Sequence, residues 1–122
     1  DGKVDLIVGN ERGKWHLFQN QLSGVNGNAF VNVLVRNSPT GATTCLDAVV
    51  QLTTKSGLTQ KRVIGANGSS YSQSLDANAH FGLAENSDNV KLKVTWSNGE
   101  TAEKSIKPSV RNIEIGSPIN PN

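Results

Sequence analysis

Apolar and polar residues alternate along much of this chain. In Val90-Lys91-Leu92-Lys93-Val94-Thr95-Trp96 the apolar side chains fall on one face and Lys91, Lys93 and Thr95 on the other, as a strand with one wet face requires. Leu46, Ala48, Val50 and Leu52 likewise share a face, and further alternating or compact apolar runs recur at 4–8, 15–18, 30–35, 60–64, 102–106 and 110–115. About eight short strands with turn signals between them predict an all-β fold, an antiparallel β-sandwich or partly open barrel.

The turn residues sit where such a fold needs them. Asn98-Gly99 lies between two strand-like runs and predicts a two-residue type I′ hairpin, because both residues tolerate positive φ. Asn26-Gly27 and Asn67-Gly68 mark further turns or loops, and Pro39, Pro108, Pro118 and Pro121 fall between or after strands, where a missing N–H costs nothing. The stretch from 65 to 89 is the longest without a clear strand pattern and is expected to be a loop that carries function or is packed down by its own apolar side chains, Phe81 and Leu83 among them.

Composition narrows the picture. The chain has 122 residues, 35% of them apolar, with twelve glycines and no methionine. That is enough for one core, and no run of helix formers with 3.6 periodicity interrupts the β pattern. Twelve basic residues against ten acidic ones leave a formal charge of +2, scattered rather than blocked, so no nucleic-acid partner is expected. No apolar stretch approaches the length of a membrane span. The single cysteine, Cys45, has no partner for an intrachain disulfide or a zinc site and reads as a small buried apolar residue. The first residue is Asp1, so the sequence is expected to be a mature or excised piece with any signal peptide upstream.

Two segments resemble known families. Asp1-Gly2-Lys3-Val4-Asp5-Leu6-Ile7-Val8-Gly9-Asn10, followed by Leu17-Phe18-Gln19-Asn20, resembles the end of an FG-GAP or VCBS repeat of a β-propeller. In such repeats a DxDxDGxxDL stretch wraps a calcium ion, which makes Asp1 and Asp5 candidate ligands. From about Asn37 to Ile115 the chain resembles the ASPIC and UnbV domain, found after a propeller at the C-terminus of cartilage acidic protein and its relatives. The matching residues are Asn37, Gly41-Ala42, Ser56-Gly57, Gly68, Tyr71, Gln73, His80-Phe81-Gly82-Leu83 and Val94-Thr95-Trp96 with Asn98-Gly99. In four places the chain departs from that pattern: Ser70 and Ala84 stand where glycine is common, Ser97 replaces a frequent proline, and 43–47 lacks the usual second glycine before its strand.

The resemblance implies three parts: 1–28 as the remnant of a repeat or as N-terminal strands, 29–116 as the sandwich and 117–122 as a tail. His80 invites a catalytic reading, yet no nucleophile, metal or paired-carboxylate signature accompanies it. The expected role of His80, Phe81, Gly82 and Leu83 is structural, the imidazole capping the 65–89 loop on backbone groups while Phe81 enters the core. Trp96 shares the apolar side of its strand and is expected in the core, beside the Asn98-Gly99 hairpin. Tyr71, among serines, and Gln73 are the candidate ligand contacts. Asn67-Gly68-Ser69 is a candidate glycosylation acceptor.

The expected function is therefore a non-catalytic extracellular adhesion or binding module at the C-terminus of a propeller-type protein. It needs no cofactor, calcium at Asp1 and Asp5 aside, and its partner is a protein or glycan at a cell surface or matrix. Two alternatives remain: a structural subunit of an extracellular fibre, polymerising as the N-terminal strands pair with a neighbour, and an accessory domain of a secreted enzyme.

Overall fold

The computed structural model describes residues 2–10, 12–23, 28–66, 75–85 and 88–117. These residues form strands and connections with no helix. The strands are β1 (Leu6–Val8), β2 (His16–Phe18), β3 (Ala29–Val35), β4 (Val49–Thr53), β5 (Thr59–Val63), β6 (Gly65–Ala66), β7 (Leu75–Asp76), β8 (Asn78–Ala84), β9 (Val90–Thr95), β10 (Thr101–Ile106) and β11 (Asn112–Ile115).

Two sheets make the sandwich. One has the order β10-β9-β4-β5 and is antiparallel throughout; the other has the order β11-β3-β8, with β8 antiparallel and β11 parallel to β3. The pairs β1-β2 and β6-β7 stand outside them, and no sheet closes into a barrel. The sequence expectation of an all-β sandwich holds.

Alternation selects the core. Val31, Val33 and Val35 of β3, Ala79, Phe81 and Leu83 of β8, Val50 and Leu52 of β4, and Val90, Leu92 and Val94 of β9 all point between the sheets and are buried. The intervening residues of each strand face outward, since a strand turns its side chain over at every step. Trp96 is buried at one end, where its indole N–H donates to the Arg36 carbonyl at 2.9 Å.

The open seam between the edge strands β5 and β8 is bridged by side chains. Gln60 donates its amide to the Gly82 carbonyl at 2.8 Å, and the Arg62 guanidinium lies over the Phe81 ring at 5.1 Å. Both residues stand opposite core positions of β4, Leu52 and Val50, so β5 turns polar groups inward only where the neighbouring edge strand needs a cover.

Three expectations need correction. The stretch 65–89 is not an unpaired loop: β8 lies inside it and pairs with β3 from Leu34↔Asn78 to Ala29↔Ala84. The strand expected from Leu46 begins at Val49, and Leu46 is exposed, because Asp47 takes a φ of 62° in the turn that precedes it. The Asn98-Gly99 hairpin forms, with a three-residue loop in place of the two-residue one. Gly99 N–H bonds the Trp96 carbonyl and Trp96 N–H the Glu100 carbonyl, each at 2.9 Å, and only Gly99 has positive φ. This is a turn followed by a left-handed glycine, the common three-residue hairpin closure. Thr54, Gly57 and Leu58 repeat it between β4 and β5.

Candidate ligand-binding face

The outer surface of the three-stranded sheet carries a connected set of polar groups. In register, Asn112 of β11, Asn32 of β3 and His80 of β8 lie side by side, and the next row holds Glu114, Leu34 and Asn78. Each is outward because its neighbours Val31, Val33, Ala79 and Phe81 are inward.

The row is hydrogen-bonded across all three strands. Asn32 donates its amide to the Asn112 side-chain oxygen at 3.2 Å, and the Asn32 oxygen lies 2.8 Å from His80 Nδ1. Because that oxygen can only accept, Nδ1 carries the proton and Nε2 is left with its lone pair. Burial first, and then the charge of Arg62, push the His80 pKa below its ordinary 6.5. The ring is thus a neutral acceptor at physiological pH.

Phe30 closes one end of the row. Its ring lies 5.6 Å from the His80 ring, with the Arg111 guanidinium 4.5 Å over it and Gly2 packed against it, and its strand partner is Gly82. At the other end Arg36 holds Glu114 through two bonds of 3.1 and 3.2 Å. Between them a shallow depression of about 330 Å³ is lined by Asn32, Leu34, Asn78, Asn112, Ile113 and Glu114.

His80 therefore does not cap a loop through backbone groups as its sequence position suggests; it bonds a side chain on a neighbouring strand. An amide partner neither supplies nor removes a proton, so what the arrangement presents outward is a set of hydrogen-bonding groups. No cluster of three or more His, Cys, Asp or Glu side chains able to hold a metal occurs among the described residues. Asp5 uses its carboxylate to accept the Asn20 backbone N–H at 2.8 Å, tying the strands β1 and β2 at their open end.

The other candidates fall elsewhere. Phe81, Leu83 and Trp96 are core residues, Gly82 faces outward beside Phe30, and Asn98 with Gly99 forms the β9-β10 turn. Cys45 is half-buried against the core. Asp1, Asn67, Tyr71 and Gln73 lie outside the described residues. Asn32, Asn112 and Phe30 were not legible as site residues; the available signal was that they occupy the outward positions of two strands while being amides or aromatic.

No helix of the described residues is long and apolar enough to cross a membrane. No curated protein and no solved structure matches the chain. The family model described as ASPIC and UnbV matches residues 38–119, more than half of the 122. With the His80-Phe81-Gly82-Leu83 strand and the Trp96-to-Gly99 turn inside that match, the chain belongs to the ASPIC and UnbV family.

Proposed function

We propose that this chain is a non-catalytic extracellular binding module, following a propeller-type repeat, which meets a glycan or protein of a cell surface or matrix through the outer face of the three-stranded sheet. The observation that carries the reading is the chain of side-chain bonds Asn112–Asn32–His80 flanked by the Phe30 ring. Its members hold each other in place, so little rotamer entropy remains to be lost on binding. Asn amides and a neutral imidazole suit ligand hydroxyls and amides, and the Phe30 ring, held by Arg111 and Gly2, backs the imidazole.

The test is an array of glycans and matrix proteins probed with the wild type, Asn112→Ala and His80→Gln. A ligand that both variants lose, and whose binding weakens as the pH falls below 6.5 and His80 Nε2 takes up a proton, supports the reading. A ligand kept by both variants across that range removes it.

A second reading, a fibre subunit assembled by strand addition, is favoured by the β1-β2 hairpin. Among the described residues its strands pair only with each other, and Leu6, Ile7, Leu17 and Phe18 are exposed on both of its faces. Such a ribbon offers free edges and apolar surface to a neighbour. Sedimentation and electron microscopy separate the two: filaments favour the fibre and a monodisperse monomer the binding module.

A further inference from the structure

The outer face of the other sheet has a different chemistry. Two rows cross its four strands: Glu103, Lys93, Gln51 and Lys61, then Ser105, Lys91, Thr53 and Thr59. We propose that this face binds an acidic polysaccharide, whose carboxylate or sulfate groups meet Lys91, Lys93 and Lys61 while its hydroxyls meet the amide and hydroxyl side chains between them.

Charge and position carry the argument. The whole chain has a formal charge of only +2, yet these two rows hold three lysines against the single carboxylate of Glu103. Glu103 is engaged by Lys93 at 3.6 Å, and Lys61 and Lys91 make no ion pair among the described residues. Lys91 and Lys93 are roughly 7 Å apart along one strand, and Lys61 lies about 10 Å from Lys93 across β4. Lysines on an edge strand are explained by the need to block edge pairing. β9 is an interior strand, so that explanation does not reach Lys91 or Lys93.

The surface is shaped as well as charged. Two open grooves of about 380 and 730 Å³ meet over it, sharing Thr53, Lys91 and Ser105 as lining. Neither row includes an aromatic ring on which a base could stack, nor an arginine to grip phosphate in a fork. An acidic peptide joining by strand addition would take a sheet edge, not this face. Ammonium groups interspersed with amide and hydroxyl groups along these open grooves match a chain whose own charges are separated by hydroxyls.

The experiment is calorimetric titration of the full chain with heparin and alginate as sulfated and carboxylated probes. Neutral dextran, single-stranded DNA and polyglutamate serve as comparisons, each run at low and at physiological salt. The expected result is binding of at least one acidic polysaccharide, weakening with salt, absent for dextran and tighter than for DNA or polyglutamate. The double variant Lys91→Gln/Lys93→Gln should weaken it by about tenfold, while Lys14→Gln between β1 and β2 leaves it unchanged. Equal loss in Lys14→Gln, no loss in the double variant, or tighter binding of DNA or polyglutamate overturns the proposal. Absence of any polysaccharide binding does so too. Because the proposed Asn112–Asn32–His80 face lies on the other sheet, His80→Gln tests that reading separately.

Discussion

Asp47 and Ala84 have φ angles of 62° and 50°, a region that costs a residue with a Cβ about 1–2 kcal/mol. Ala84 and Asp47 lie at two of the places where the sequence departs from the glycines of the pattern it resembles. Both departures in sequence thus surface as backbone strain. Ala84→Gly relieves the strain at a cost of about 0.4–1 kcal/mol in unfolded-chain entropy, so a net gain of about 0.5 kcal/mol is expected in denaturant melts. Gly116 is the opposite case. It has a φ of 108°, and a Cβ there would stand 2.3 Å from the Asn37 carbonyl oxygen and 3.0 Å from the Trp96 ring. Gly116→Ala should lose about 3 kcal/mol, read as a lower melting temperature.

Glu100 ties two loops at the same end of the sandwich, and its pH response follows from its partners. The Ser38 hydroxyl first, then the Asn98 amide and Thr40, hold its pKa down to about 2 from the ordinary 4.5. A carboxyl whose folded pKa is depressed contributes stability that is complete above pH 4.5 and is lost as the pH falls from there towards 2. Glu100→Gln should melt at a lower temperature at neutral pH and show a shallower decline through that acid range.

At the scale of elements, β8 shows how a legible pattern was masked. Ala79, Phe81 and Leu83 alternate with Asn78, His80 and Gly82, the period of a strand. Alanine, asparagine and glycine are poor strand formers, and in isolation they read as loop. Pairing with β3 overrides that local preference, with a bulge at Ala29/Phe30 where the register shifts. The seam to β5 is also invisible in sequence, because Gln60 and Arg62 meet Gly82 and Phe81 only once the sheets are stacked. Gln60→Ala, which leaves the Gly82 carbonyl without this partner, should lose about 1 kcal/mol and speed hydrogen exchange in β8. Phe81→Ala, deleting a fully buried ring, should lose about 3–5 kcal/mol.

For the molecule as a whole, the β1-β2 hairpin and the sandwich differ in kind. Among the described residues the sandwich buries seventeen apolar ones in one core, whereas the hairpin has all six strand residues exposed, flanked by Trp15 at 76%. A two-stranded ribbon without a covered face has little stability of its own. Amides of 6–8 and 16–18 should therefore exchange orders of magnitude faster than those of β3, β4 and β9. Protection equal to that of the sandwich would show that the hairpin is covered. A dye that reports exposed apolar surface should bind the native chain and bind less to Leu17→Ser.

The strands β3, β9 and β10, the position of the hairpin at Asn98-Gly99 and the inward face of Trp96 were determined by the sequence itself, because periodicity and turn chemistry act within a few residues. The partners of His80, the closure of the β5–β8 seam and the two contrasting outer faces were decided only by tertiary structure. Those features depend on which strands lie side by side, and residues as far apart as Asn32 and Asn112 become neighbours only when β11 docks in parallel against β3.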